Sequence, residues 1–270
     1  MKTSLSVNNM QCGHCVATIN KELLKVNGVF GVEANIAEQT LSIDHTDDVD
    51  VAAVKTVIST LGYAPKISTD AFAAKAAEWD ENPARVEMAT TFFRRVVENV
   101  AIQPSDVALD FGCGTGLVGL QLVPYVQKVV MVDNSPAMLD ILRQKCEKDG
   151  LSSSQVELVE GSMEEVSATN LKLIVTLMAL HHVVDTKSLL QQFYNQLNKG
   201  GYLAIGDLQT EDGSFHAEKV PHNGFDPHDV CAALSIAGFQ LMLCETFHKM
   251  NKPTEKGKRS FTQFLILAKK

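Results

Sequence analysis

The chain has 270 residues, 45% hydrophobic and 21% charged, enough for about two domains that need no disulfide staples. A formal net charge of −8 excludes a surface built to coat nucleic acid, because neutralising phosphates needs clustered Lys and Arg. No run approaches the roughly 20 apolar residues of a membrane helix, and the first residues carry no apolar leader block. Six cysteines, only two of them closely spaced, point to reduced thiols in a cytoplasmic setting. The expected partners are small molecules, a metal ion and a metal-donor protein, with no nucleic acid and no membrane.

The first elements are short. "SLSVN" (4–8) alternates as a strand, and "CVATINKELLKV" (15–26) sets Val16, Ile19, Leu23 and Val26 at helical spacing, closed by Gly28. "VFGVEANI" (29–36) and "TLSIDH" (40–45) read as two strands, "VAAVKTVISTLGY" (51–63) as a second helix ending at Gly62, and "APKIS" (64–68) as a last strand. The order βαββαβ over residues 1–68 predicts a small ferredoxin-like domain.

Cys12 and Cys15 stand where the first helix begins. Unpaired amides and partial positive charge at a helix N-terminus lower thiol pKa, and two close thiolates suit a soft ion such as Cu(I), or Zn(II) if further ligands join. Met-x-Cys-x-x-Cys after the first strand, a helix following, and Gly62-Tyr63 before the last strand resemble the heavy-metal-associated domain of copper chaperones. The resemblance implies that Cys12 and Cys15 are the metal ligands, that Met10 anchors the loop in the core, and that His14 faces solvent as an optional third ligand. Cys-Gly-His-Cys is also the active-site tetrapeptide of protein disulfide isomerases. Those resemble thioredoxin, with an aromatic residue before the first cysteine and a cis-proline loop facing the pair; here Gln11 precedes Cys12 and the first proline is Pro65.

Ser68-Thr69-Asp70 offers a link and a helix cap, so the second domain is expected over 69–270. After a helix at about 84–99, "SDVALDFGCGTGLVGLQLV" (105–123) reads as a buried strand, a glycine-rich turn and a helix, and "KVVMVDNSPAMLDILRQKC" (128–146) repeats strand, acidic residue and helix. "VELVEG" (156–161), "LKLIVTLMAL" (171–180) and "GYLAIGDL" (201–208) add apolar strands. "NKPTEKGKR" (251–259) reads as a hairpin turn. Alternating strands and helices predict a doubly wound, mostly parallel α/β sheet. Its ligand belongs at the carboxyl ends of the strands, where Gly112, Asp133, Ser162, Ala179 and Asp207 should gather.

The turn taken alone leaves two cofactors open. Gly114-Thr115-Gly116-Leu117-Val118-Gly119 fits a dinucleotide fingerprint, with Asp133 downstream to meet a ribose, and S-adenosylmethionine fits the same description. Asp110 breaks the tie: "LDFGCGTG" resembles motif I of class I methyltransferases, a seven-stranded Rossmann-like family. "VDNSPAML" resembles their second motif, "LMALHHV" the end of their fourth strand, "LNKGG" (197–201) the turn before their fifth, and residues 239–268 their terminal hairpin. The resemblance implies that Asp110, Gly112, Gly114 and Gly116 shape the pocket for the cofactor's methionine moiety, that Asp133 holds the ribose, and that Ser162 and Met163 flank adenine. "EWDENP" around Trp79 and Asp80 resembles the segment that covers the cofactor. Cys113 is read as a small loop residue. Two positions depart from the family: Gly161-Ser162 replaces a usual Gly-Asp, and Leu171-Lys172 an aromatic-Asp pair.

Methyl transfer from a sulfonium is an in-line displacement that depends on alignment, and an oxygen or nitrogen acceptor must lose a proton, for which histidine is suited. His181 and His182 lie where the fourth strand opens and are the candidate catalytic residues; strand alternation predicts that they point to opposite sides. His216, His222 and His228 recur every six residues, a poor metal pattern that favours pocket lining or plain surface. Asp207 reads as a wall of the acceptor site or as a cap. The function expected is a methyltransferase for a small molecule, regulated or targeted by its metal module. The competing reading is a metal chaperone or sensor whose methyltransferase-like domain is inactive. A third, delivery of a thiophilic metalloid from Cys12 and Cys15 for methylation, lacks the catalytic-domain cysteines of arsenite methyltransferases, because Cys146, Cys231 and Cys244 fall in no such motif.

Overall fold

A computed structural model describes the chain except residues 1, 8–9, 11–12, 36–39, 48, 64, 68–71, 217–219 and 255–256. It divides into two compact units, Met1–Ala71 and Phe72–Lys270.

In the first unit β1 (Lys2–Val7), α1 (Gly13–Leu23), β2 (Val29–Asn35), β3 (Thr40–His45), α2 (Val51–Thr60) and β4 (Pro65–Ile67) follow in order. The sheet runs β2-β3-β1-β4 with every pairing antiparallel. Period-two alternation turns Leu5 and Val7 of β1 and Leu41 and Ile43 of β3 to one face, where they meet Ile19 and Leu23 of α1 and Val54 and Ile58 of α2. Each such aliphatic side chain, fully buried, contributes about 1.5–3 kcal/mol. Asp50 caps α2 by accepting the Ala52 amide at 2.8 Å. Helix α1 begins two residues earlier than its apolar spacing indicates and ends at Leu23, so the turn to Gly28 is longer than expected.

The second unit opens with a short helix α3 (Ala73–Ala76), a 3-10 turn at Trp79–Glu81 and α4 (Pro83–Asn99), capped by Asn82 with Pro83 in its first turn. Then come β5 (Val107–Phe111), α5 (Gly119–Leu122), β6 (Lys128–Asp133), α6 (Pro136–Lys148), β7 (Val156–Glu160), β8 (Leu171–Leu177), α7 (Thr186–Gln196), β9 (Leu197–Leu208), α8 (Pro227–Ala237), β10 (Gln240–Thr254) and β11 (Gly257–Lys269). They form one mixed seven-stranded sheet of order β10-β11-β9-β8-β5-β6-β7. The four pairings from β7 to β9 are parallel, and β11 runs antiparallel between β9 and β10.

Alternating positions feed two cores. Ala108, Val129, Met131, Leu173 and Val175 pack with α4, α5 and α6, while Leu109, Val130, Val132, Ile174 and Leu203 pack with α7 and α8. The chain leaves β5 for β6 and β7, then returns to lay β8 on the other side of β5. The crevice over the β5–β8 boundary is therefore the switch point where such sheets bind ligands.

Two loop readings are corrected. "LNKGG" is the start of β9, because Leu197 pairs with Leu171 before an irregularity in register. The residues read as a polar hairpin turn are largely strand: Asn251–Thr254 pair with Gly257–Ser260, leaving only 255–256 between.

Candidate active site

The glycine-rich loop follows β5 at the switch point. Asp110, nearly fully buried, accepts the Gly119 amide at 2.8 Å, pinning the start of α5 to the strand end. Burial pushes its carboxyl up to about 7; the Gly119 amide opposes the rise and the charge of Asp133 adds to it. Gly112 takes φ 68°, and a Cβ there would stand 2.3 Å from that of Ala179, so β5 and β8 approach too closely for any side chain. Gly114 takes φ 53° with nothing within 4 Å of a Cβ position, which leaves its backbone open to a ligand. Gly116, at φ 84°, lies against Leu142 and Leu120 and so serves packing of the loop on α6.

Asp133 ends β6. One of its oxygens accepts the Gly114 amide at 2.6 Å and the other the Ser135 amide at 2.9 Å. Ser162 donates its amide and its hydroxyl to Glu165 at 2.7 and 2.8 Å, and these bonds hold Glu165 below the usual carboxylate range. Its oxygen also accepts the Glu164 amide at 3.2 Å, so the Ser162 side chain is already engaged within its own turn. The Met163 side chain packs into the core beside Val166, Leu189 and Phe193. The Cys113 thiol is driven well above its ordinary pKa, first by burial and then by Asp110 and Asp133, so it stays protonated and inert.

The 3-10 turn Trp79–Glu81 is tied to this loop through Thr115 and Lys145, neither of which any sequence motif singles out. Thr115 donates its hydroxyl to Asp80 at 2.5 Å, and Lys145 of α6 pairs with Asp80 while donating to the Thr115 carbonyl at 2.7 Å. Trp79 carries Arg85 over its ring at 3.9 Å. Phe72 stands edge-on to Trp79, with centroids 5.6 Å apart, and to His182 at 5.4 Å. No local pattern announces Lys145, which looks like one of many helix-surface lysines.

The strand-alternation reading of His181 and His182 is wrong. Strand β8 ends at Leu177, Met178 takes φ 57°, and Leu180–His182 form a 3-10 turn that brings the two rings within 4.3 Å. His181 is fully buried; its Nδ1 bonds Asp207 Oδ1 at 2.6 Å, and its amide donates to Oδ2 at 3.2 Å. His216 joins them, 4.8 Å from His181 and 5.3 Å from His182 between centroids. His222 bonds the Val183 carbonyl at 3.0 Å, and His228 lies exposed at the start of α8. Lys172 takes no part: it donates to the Gly200 carbonyl at 3.0 Å and lies over the Tyr202 ring, at the opposite end of β8.

Of the front motif, Cys12 and the side chain of His14 lie outside the described residues. Cys15 is half-buried in the first turn of α1, and Met10 is fully buried in the first core. In the second unit Cys231 of α8 sits against Cys244 of β10; burial first, then that contact, pushes its thiol up to about 11.

Comparison with known proteins agrees with this division. A heavy-metal-associated domain family matches residues 4–64, and a methyltransferase domain family matches 108–201. An uncharacterised methyltransferase of Schizosaccharomyces pombe is 28% identical over 139 residues, 45% of this chain and 49% of that protein. A carboxy-S-adenosyl-L-methionine synthase of Citrobacter koseri is 30% identical over 112 residues, 39% of this chain and 45% of that protein. The chain thus spans about half the length of the curated relatives it matches. A structure of an S-adenosylmethionine-dependent methyltransferase from Aquifex aeolicus superposes with TM-score 0.55 at 19% identity, covering 73% of this chain and 97% of that one, a likeness of fold.

Proposed function

Because this chain carries a heavy-metal-associated domain over residues 4–64 followed by a class I S-adenosylmethionine-dependent methyltransferase domain, we propose that it methylates a small molecule and that its first domain holds a soft metal ion. The observation that carries the reading is the loop between Asp110 and Asp133. Its Gly114 backbone is open to a ligand, and it stands at the sheet's switch point. When bound, S-adenosylmethionine supplies a methyl group on a sulfonium that no protein nucleophile has to activate. Gly112, Gly114 and Gly116 shape the methionine end of the pocket, the Asp133 carboxylate at the end of β6 takes the ribose hydroxyls, and Ser162 with the Met163 backbone borders adenine. Trp79 and Asp80 cover the pocket and exclude water.

Ala179, against Gly112, belongs to the cofactor side, and the acceptor side is walled by His182 and Phe72. A proton lost by an oxygen or nitrogen acceptor goes to the His181–His182 pair, and Asp207 fixes the ring of His181. Cys12 and Cys15 clamp Cu(I) or a similar soft ion, received from a donor protein in a cytoplasmic setting, and the ion regulates or targets the enzyme.

Isothermal titration of the full chain with S-adenosylmethionine and with NAD tests the cofactor; binding of the dinucleotide alone overturns the reading. Incubation of a metabolite extract with methyl-labelled cofactor, with and without Cu(I), then reports the acceptor and the coupling together. Cofactor binding with no turnover on a broad acceptor panel would favour the sensor reading, to which Ser162 in place of an aspartate lends some support.

A further inference from the structure

The methyl-transfer reading gives His181 and His182 a proton-accepting role in the ion-free protein, but it does not account for His216 or for the gathering of the three rings; with an ion bound, the same nitrogens serve as ligands and the acceptor's proton goes to solvent. We infer that His181, His182 and His216 bind one divalent transition-metal ion of the zinc class, at a site separate from the cysteine pair. Their ligand nitrogens lie within 4.8 Å of one another. Around a tetrahedral ion with bonds of about 2.0 Å such nitrogens stand about 3.3 Å apart, so side-chain rotation of an ångström or so closes the set.

The second observation is His181 Nε2. Asp207, fully buried, takes the amides of His181 and Leu208 and faces His181 Nδ1 at 2.6 Å. A carboxylate only accepts, so Nδ1 carries the proton and Nε2 is left with its lone pair. That nitrogen is buried and has no hydrogen-bond partner among the described residues, an arrangement that costs about 1–3 kcal/mol unless something satisfies it. Carboxylate to Nδ1, Nε2 to metal, is how protein ligand sets orient imidazoles.

The third ligand is also fixed in place. Glu211 accepts the Ser214 and Phe215 amides at 2.8 and 3.0 Å, and Lys252 donates to the Phe215 carbonyl, so the chain leading into His216 is held from two sides. Imidazoles favour zinc and its neighbours, whereas a dithiolate favours Cu(I), so the two sites sort ions by softness. Three histidines leave one coordination position open, suited to an oxygen, nitrogen or sulfur atom of the acceptor. Ion binding does not depend on the methyltransferase reading, since a catalytically silent domain would still bind.

The test uses the full chain, freed of any affinity tag, with C12S and C15S removing the front clamp. Equilibrium dialysis against Zn(II), and Co(II) absorption as a spectroscopic probe, should give one ion per chain with tetrahedral d–d bands. H216A, outside the packed core, should retain its circular dichroism yet bind at least tenfold more weakly and lose the zinc-dependent rise in Tm. D207N, which spares all three ligands, should weaken binding 10–100-fold. Absence of saturable Zn(II) or Co(II) binding in the C12S/C15S chain, or equal affinity in a folded H216A chain, overturns the inference.

Discussion

Thr115 and Asp80, 35 residues apart, are joined by a 2.5 Å hydrogen bond that fastens the turn Trp79–Glu81 to the glycine-rich loop. Lys145 ties the same carboxylate to α6 and completes a three-residue latch. Asp80→Ala should lower stability by about 1–2 kcal/mol, as expected for charge-assisted bonds at a partly exposed site, and weaken cofactor binding about tenfold. Asp80→Asn keeps an acceptor for Thr115 and should show the smaller effect on both. Urea denaturation and titration calorimetry on the two variants read the difference; equal cofactor affinity in wild type and Asp80→Ala would show that the latch has no part in binding.

Two glycines of one loop should respond differently to alanine. Gly112→Ala drives a methyl group against Ala179 at φ 68° and should cost about 2–4 kcal/mol, overpacking adding to backbone strain. Gly114→Ala meets no neighbour and should cost only about 1 kcal/mol of backbone strain while removing most cofactor affinity. Thermal melts with and without cofactor separate the two, and a stable Gly112→Ala protein would refute the crowding argument.

Asp110 makes stability depend on pH. Its carboxyl titrates near 7 when folded against 3.8 when unfolded, so between these values the unfolded chain has lost a proton that the folded one keeps. The contribution therefore worsens as pH rises from about 4 to about 7 and is constant above. Asp110→Asn, which retains an acceptor for the Gly119 amide, should gain stability relative to wild type over that window, by roughly 4 kcal/mol in full. Chemical denaturation of both proteins at pH 5 and pH 8 checks the sign: a difference that shrinks on raising pH contradicts the assignment.

Lys172→Met should leave cofactor affinity unchanged and reduce stability by about 1 kcal/mol, the scale of a carbonyl bond and a cation–π contact at a partly exposed site. Calorimetry alongside a denaturation curve tests both halves. A changed cofactor affinity would mean that the far end of β8 communicates with the pocket.

Local patterns carried the βα alternation, the loop from Asp110 to Gly119 and the acidic end of β6, because each is dictated by neighbours in the chain: apolar strands, glycines at positive φ, a carboxylate facing amides. Lys172 looked anomalous only because its partner, the Gly200 carbonyl, belongs to the next strand. The placement of the histidines is not legible in local spacing, for a specific reason. Alternation holds only while a strand continues, and Met178 ends that regime four residues before His182. Spacing within 216–228 likewise hid His216, whose companions lie across the β8–β9 boundary. Nothing short of the folded chain brings three imidazoles from two connections together.

Trp79 is the one tryptophan of the chain. Its indole lies under the Arg85 guanidinium and touches Phe72, which in turn touches His182. Excited selectively at the red edge, where the four tyrosines absorb little, the protein's tryptophan fluorescence therefore originates wholly at Trp79, and a shift of that emission band on adding cofactor or metal reports the surroundings of this one residue, without a label and without knowledge of the methyl acceptor.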